Sequence, residues 1–429
     1  MRSALPMEAT VTRAASGGRD AAVRDGAPDS DLRRRLARSS RRSRLAAFGL
    51  VAPLLLFLFV TFILPIGLLL FQSADNRQVA SVLPETVEAL AGSKAGELPQ
   101  DTVFAALATD LRDRPKEDVA EVAKRLNYVA PGFRTLLNRT MRDIDEVQPE
   151  TARAQLVSID ERWGESATWD LIRRSSSSLT DYYLLKALDL TRGEDGSIGA
   201  AKDDAVYVAV ILRTLATSAS VTVLCLLIGY PLAYMLASSS ERDARWLMML
   251  VLLPFWTSLL VRTTAWLVLL QSNGVVNSAL RWLGVVSEPL ELVHNRLGVL
   301  IAMTHILLPF VVLPIHAVMK GISPAYWRAA SSLGAAPLRN FVHVYLPLTL
   351  PGVAAGGLLV FILALGYYIT PALVGGPTDQ MLSSFIAYFV NQSNWGMAAA
   401  LSVVLLSIVA VFYVALVVAF AARQKEAAR

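Results

Sequence analysis

Apolar and polar positions along this chain are segregated into blocks. Ala46–Phe71 is almost wholly apolar; as one α-helix it would be roughly 39 Å long, enough to cross a bilayer with tilt. Five further apolar runs follow, at about Val206–Leu236, Trp246–Leu270, Leu297–Met319, Leu348–Leu373 and Met397–Ala422. The stretch from Gln72 to about Asp204 differs, with 17 Lys/Arg and 24 Asp/Glu. Its apolar residues recur at helical spacing, as in Val103–Ala108, Val119-x-x-Val122-x-x-x-Leu126 and Tyr182-Tyr183-Leu184-Leu185-x-x-Leu188. The pattern predicts an all-α membrane protein of six transmembrane helices. A large, mainly helical insertion, residues 72–205, lies between helices 1 and 2 and is long enough to bury a small core of its own.

Composition agrees: 54% hydrophobic residues and a mean hydropathy of +0.47 exclude an ordinary soluble domain and a disordered chain. The net charge of +5 is unevenly spread, and the first 47 residues hold eleven Arg against five acids. A basic tail before a long apolar run reads as a positive-inside anchor rather than a nucleic-acid arm. Residues 1–45 are therefore expected to be a disordered cytoplasmic tail, and 46–71 an uncleaved first transmembrane helix. The charged segment Glu241–Arg245 and the tail 423–429 fall inside by alternation, while Glu288, Glu291 and Asp379 fall outside. Both termini are thus expected in the cytoplasm and the insertion outside, since long domains cross membranes largely regardless of charge. Residues 206–422 would form the membrane core.

Chemistry-bearing motifs are few. There is no G-x-x-x-x-G-K-[ST], no H-E-x-x-H and no Cys/His metal spacing. His294, His305, His316 and His343 are scattered, and the single Cys225 excludes an intrachain disulfide. No catalytic residue, metal site or cofactor is expected on this chain.

The loop at 320–347 is more telling. Ser323 is a natural N-cap and Pro324 suits the first helical position. Tyr326 to Leu333 can make two turns, and Gly334 supplies the left-handed residue that ends them. Pro337 can open a second helix running toward Pro347 and Pro351. The loop carries Lys320, Arg328 and Arg339 and no Asp or Glu, which places it inside. Two readings stand side by side: a helix docking into a partner's groove, or an amphipathic helix resting on lipid headgroups.

Within the spans, Arg262 lies in Pro254–Trp266, well inside the expected third helix. Arginine near a bilayer centre costs roughly 2.5–3.5 kcal/mol on insertion scales, so it should face a cavity or a partner. Spans two to six contain no Asp or Glu. Its partners would be carbonyls, hydroxyls, water or a passing solute, in a structural role or a pathway role. Trp256, Thr257, Arg262, Trp266, Tyr367 and Tyr368 are the candidates to line a translocation path, although aromatic residues near span ends also serve as interface anchors. Pro231, Pro254, Pro309 and Pro314 predict kinks or local unwinding. Gly352-x-x-x-Gly356-Gly357 predicts a close helix–helix approach.

Ala329-Ala330-x-x-Leu333-Gly334-Ala335, followed by Phe341-x-x-Val344-x-Leu346-Pro347-Leu348-x-x-Pro351-Gly352, resembles the "EAA" loop of ABC-importer permeases. Gly229–Tyr234, Pro254–Trp266, Leu308–Pro314 and Thr370–Pro377 are similar to spermidine/putrescine-type permeases. The likeness covers the first span and roughly Val206 to Ala422. It implies a multi-pass protein of the bacterial inner membrane and a coupling helix that docks on a cytoplasmic ATPase through Ser323, Tyr326, Trp327, Arg328, Ala329, Ala330, Leu333, Gly334 and Ala335. ATP and magnesium would sit on the partner ATPase dimer. A second permease, similar but non-identical, and a periplasmic substrate-binding protein would complete the importer; no nucleic acid is implied. Arg328 departs from the family pattern, which has an acidic residue there, so an ionic contact through that position is either lost or reversed in sign.

The resemblance favours a polyamine-type solute. The absence of carboxylates in spans two to six keeps an opine, an amino-acid conjugate or an organic acid open. A channel or secondary transporter without an ATPase is the rival from another class, although no inverted repeat or intramembrane ion pair is evident. A membrane-anchored sensor is a third, and the short cytoplasmic ends weigh against it.

Overall fold

The computed structural model describes residues 48–94, 96–193, 197–201 and 205–427. The basic tail expected over 1–45 and the final Arg429 lie outside the described residues, as do the side chains of Arg423 and Lys425.

Six helices among the described residues are long and apolar enough to cross a membrane: Phe48–Phe71, Tyr207–Ser238, Leu259–Trp282, Arg296–Gly321, Pro337–Gly366 and Trp395–Ala419. The first, α1 (Phe48–Phe71), contains a π-helical turn at Phe59–Ile63, immediately before Leu64-Pro65. A second π-helical turn, Phe341–Tyr345, immediately precedes Leu346-Pro347. A proline cannot donate to the carbonyl four residues back, and its ring crowds that carbonyl. The turn before it widens instead, with Leu64 N–H reaching Phe59 O and Leu346 N–H reaching Phe341 O.

The insertion consists of α2 (Arg77–Val82), α3 (Pro84–Ala91), α4 (Asp101–Asp113), α5 (Lys116–Val129), α6 (Phe133–Asp143), α7 (Ala152–Ile159), α8 (Ser166–Ser175) and α9 (Tyr182–Ala187). A short antiparallel hairpin, β1 (Leu190–Arg192) with β2 (Ile198–Ala200), follows; the helical pattern does not anticipate it. The insertion has its own core, in which Phe104, Leu107, Leu126, Leu136, Trp163 and Trp169 are fully buried. Both buried indoles find acceptors: Trp163 Nε1 donates to Thr140 Oγ1 at 2.9 Å and Trp169 Nε1 to Trp163 O at 2.9 Å. The Arg162 guanidinium, hydrogen-bonded to Asp160, holds that carboxyl below the usual carboxylate range.

The second membrane helix, α10 (Tyr207–Ser238), begins on a carboxylate supplied by the insertion. Asp189, at φ 56°, accepts from the N–H groups of Val206, Tyr207 and Val208 at 3.0, 2.9 and 2.7 Å. Those are the unpaired donors at the positive end of a helix dipole.

The remaining elements are α11 (Glu241–Leu252), α12 (Leu259–Leu270), α13 (Val275–Trp282), α14 (Arg296–Gly321), α15 (Pro324–Ser332), α16 (Pro337–Asn340), α17 (Leu346–Gly366), α18 (Ile369–Val374), α19 (Leu382–Asn391) and α20 (Trp395–Ala427). The core of this part lies where α10, α14 and α17 cross. A Cβ on Gly229 of α10 would come within 2.7 Å of Val311 Cγ1, and one on Gly356 of α17 within 3.0 Å of Val311 O. Gly352 would meet Val318 Cβ at 3.0 Å. Backbone contact of this kind is what small residues permit, as the glycine pattern predicts.

Two spans differ from the pattern-based expectation. Trp246–Leu270 is not one helix: α11 passes into a 3₁₀ turn at Leu253–Trp256, Thr257 is extended, and Ser258 caps a new start by accepting from Val261 N–H. Pro254 provides the break. Pro231, Pro309 and Pro314 lie inside helices assigned without interruption. Nor does the fifth span begin at Leu348. The helix opened by Pro337 continues through the π turn into α17, stops at Gly366, and leaves Tyr367 extended.

Replacing Gly356 by Val should lower stability by about 1–3 kcal/mol, because the backbone of α14 cannot move aside. Thermal unfolding in mild detergent would show a reduced midpoint. Gly366→Ala, where a Cβ meets nothing within 4 Å, should leave it unchanged.

Candidate functional site

Two groups of residues stand out. The first is the loop between α14 and α17. Ser323 Oγ accepts from Ala325 N–H at 3.3 Å, and Pro324 occupies the first turn of α15. The helix closes as its punctuation predicts. Gly334 is left-handed at φ +84°, its N–H reaches Ser331 O at 3.0 Å, and Ala335 N–H reaches back to Ala330 O at 3.1 Å. These paired bonds tie off the last carbonyls and require the glycine.

Asn340, fully buried, then holds α15 from below. Its Nδ2 donates to Trp327 O at 3.0 Å and to Ser331 Oγ at 3.3 Å. Aromatic rings continue the contact into the membrane helices. Trp327 meets Tyr345 at 6.4 Å between centroids, and Tyr234 of α10 meets Tyr345 at 5.6 Å and Phe341 at 5.9 Å. The outer face is open: Leu333 is 89% and Leu338 75% exposed, and Tyr326, Arg328 and Ala329 are exposed beside them. The result is a short, rigidly capped helix that offers apolar and cationic side chains outward and is braced on α10 and α17.

The second group lies at the two helix breaks. Arg262 is not deep within a helix; it sits in the first turns of α12, and its Nη2 donates back to Thr257 O at 2.9 Å, its Nε to Thr257 Oγ1 at 3.4 Å. The guanidinium thereby fills a carbonyl left open by the Pro254 break. At the other break, Pro371 has no N–H to offer Tyr367 O, and Ser383 Oγ donates to that carbonyl instead, at 2.7 Å. Thr263 and Thr370 hydroxyls, 3.2 Å apart, join α12 to α18 and bring the two breaks side by side. Trp266 Nε1 donates to His305 Nδ1 at 3.1 Å, and Arg262 lies within electrostatic reach of both His305 and Tyr367.

Arg262, Thr257, Trp266 and Tyr367 are therefore neighbours. Trp256 stands apart on the 3₁₀ turn, 81% exposed, and Tyr368 is exposed next to Tyr367. Sequence reading missed His305 as part of this group, and Asn340 as the brace of the loop. Trp266 and His305 are 39 positions apart, and a lone Asn or His carries no spacing signal.

Residues 229–425 match the family model described as the binding-protein-dependent transport system inner membrane component. The spermidine/putrescine transport system permease protein PotB of Escherichia coli (strain K12) is 34% identical over 203 residues, 47% of this chain and 74% of that protein. The chain belongs to this family. The inner membrane ABC transporter permease protein YdcU of the same organism is 34% identical over 217 residues, 47% of this chain and 69% of its own length. A crystal structure of a bacterial alginate ABC transporter, in complex with its alginate pentasaccharide-bound periplasmic protein, is 20% identical with a TM-score of 0.41. It covers 50% of this chain and 78% of that one.

The chain is thus a permease subunit of an ABC importer. The family match includes α15 and both helix breaks and leaves out the insertion. Substituting Asn340 by Ala removes two bonds and should loosen α15 by about 1–3 kcal/mol. Hydrogen exchange of 324–335 should speed up in that variant, whereas Arg328→Ala, on the open face, should leave exchange as it was.

Proposed function

We propose that this permease imports a polyamine-type solute, delivered by a periplasmic binding protein, and that it does so as one half of a pair with a similar, non-identical permease. The relatives named PotB support the substrate class. The polar breaks of α12 and α18 support a path at this face. Arg262, His305, Trp266 and Tyr367 do not suit lipid, so they would face the path or the second subunit. With no carboxylate in these spans, the rings of Trp256, Trp266, Tyr367 and Tyr368 would meet a cationic solute by their faces. Arg262 is engaged with Thr257, and solute selection rests with the binding protein.

The capped, exposed α15 is the observation that carries the mechanism. ATP and magnesium act on a separate cytoplasmic ATPase dimer, whose groove receives Ser323–Ala335. Closure of the ATPases shifts α15, and the Trp327–Tyr345–Tyr234 contacts pass that shift to α10 and α17. Only binding energy that differs between inward-open and outward-open states moves the equilibrium. Both termini and α15 then lie in the cytoplasm, and the insertion in the periplasm.

Three outcomes test this reading. Purification of the tagged chain from its native membrane in mild detergent should bring down a stoichiometric ATPase; elution alone, while a control complex survives the same detergent, would overturn it. Gly334→Trp should abolish uptake yet leave ATP hydrolysis running, since a side chain at φ +84° breaks the cap. Arg262→Ala should lower uptake at least several-fold; unchanged uptake of every solute tried would remove Arg262 from the path.

A further inference from the structure

Where the insertion meets the start of α20, there is a cavity of about 280 Å³. Arg125 of α5 lines it, only 6% exposed. Its Nη2 donates to Asn76 Oδ1 at 3.0 Å, and its guanidinium lies 4.7 Å from the Tyr183 ring centroid and 5.3 Å from that of Tyr182. Its Nη1 is buried with no hydrogen-bond partner. Among the described residues Arg125 has no carboxylate within ion-pair distance. A buried cation without a countercharge is costly.

The two acids that line the cavity are already engaged. Asp75 is held by Arg77 Nε and Nη2 at 2.9 and 3.0 Å, and Glu121 accepts from Gln78 Nε2 at 2.9 Å. Burial pushes the Tyr183 phenol up to about 12, so it stays neutral and supplies no negative charge.

Positive potential comes from two further directions. Lys124 lines the same cavity, its Nζ donating to Gln392 O. The first turn of the long α20 opens onto it. Asn394 Oδ1 accepts from Met397 N–H at 3.2 Å, leaving the N–H groups of Trp395 and Gly396 without acceptors among the described residues. A buried guanidinium without a countercharge and the first turn of α20 thus both line one small space.

We propose that this cavity binds a single carboxylate between Arg125 and the first turn of α20, pinning the insertion to the membrane helices. The carboxylate comes either from a small free acid or from an acidic side chain of a docking protein.

The test uses the purified full-length chain in detergent, with its thermal midpoint followed as sodium acetate replaces sodium chloride at fixed ionic strength. A saturable rise of at least about 2 °C is expected, absent in Arg125→Met and reduced in Lys124→Met. A flat wild-type curve overturns the proposal whether or not either variant folds, and so does an equal rise in Arg125→Met. N-acetyl-glutamate α-amide, with its glutamine counterpart as control, separates the sources. A response to it as well as to acetate assigns the site to an acidic side chain; a response to acetate alone assigns it to a free acid.

Discussion

Val311 is the point on which α10, α14 and α17 close. Its side chain meets Gly229 of α10 and its backbone meets Gly356 of α17. Lipid provides little hydrophobic drive for helices to associate, so close backbone packing must hold them. The three helices whose flat faces meet here bury Val221, Cys225, Leu307, Ile315 and Val360 around the crossing. The elements α11, α12, α18, α19 and α20 each pack against a member of this unit. The capped helix α15 lies in the loop that links α14 to α17.

Proline gives several membrane helices their irregularities, and each is re-satisfied in its own way. Ahead of Pro65 and Pro347 the turn widens and all donors stay within the helix. At Pro254 and Pro371 the helix breaks, and side chains take over: Arg262 serves Thr257 O and Ser383 serves Tyr367 O. Irregular backbone at membrane depth is tolerated where protein or a water-filled path covers it. At these two breaks protein side chains supply that cover.

The insertion is an independently cored helical body, yet it does not end loosely. Asp189, strained into the left-handed region, supplies the cap of α10, and Tyr183 packs its ring on Gly396 at the start of α20. Short, buried contacts thus join the insertion to the first turns of α10 and α20. The far end of α10 carries Tyr234, which meets Phe341 and Tyr345 beside α15.

Much of this was legible in the residue order. Apolar blocks of bilayer length specify six spanning helices, because hydrocarbon admits only backbone that bonds to itself. Ser323-Pro324 and Gly334 specify where α15 starts and stops, because caps are local chemistry. Gly352-x-x-x-Gly356 announces a close crossing, though not its partner. What the order could not contain was which distant groups meet. The pairing of Trp266 with His305, the bracing of Trp327 by Asn340, and the capping of α10 by Asp189 each depend on how helices pack. The break at Thr257 was visible as Pro254, but the withdrawal of Arg262 onto that carbonyl was decided in three dimensions. Periodicity and caps act over a few residues, whereas satisfaction of a freed carbonyl or a buried cation is settled only when the tertiary structure brings its partner within reach.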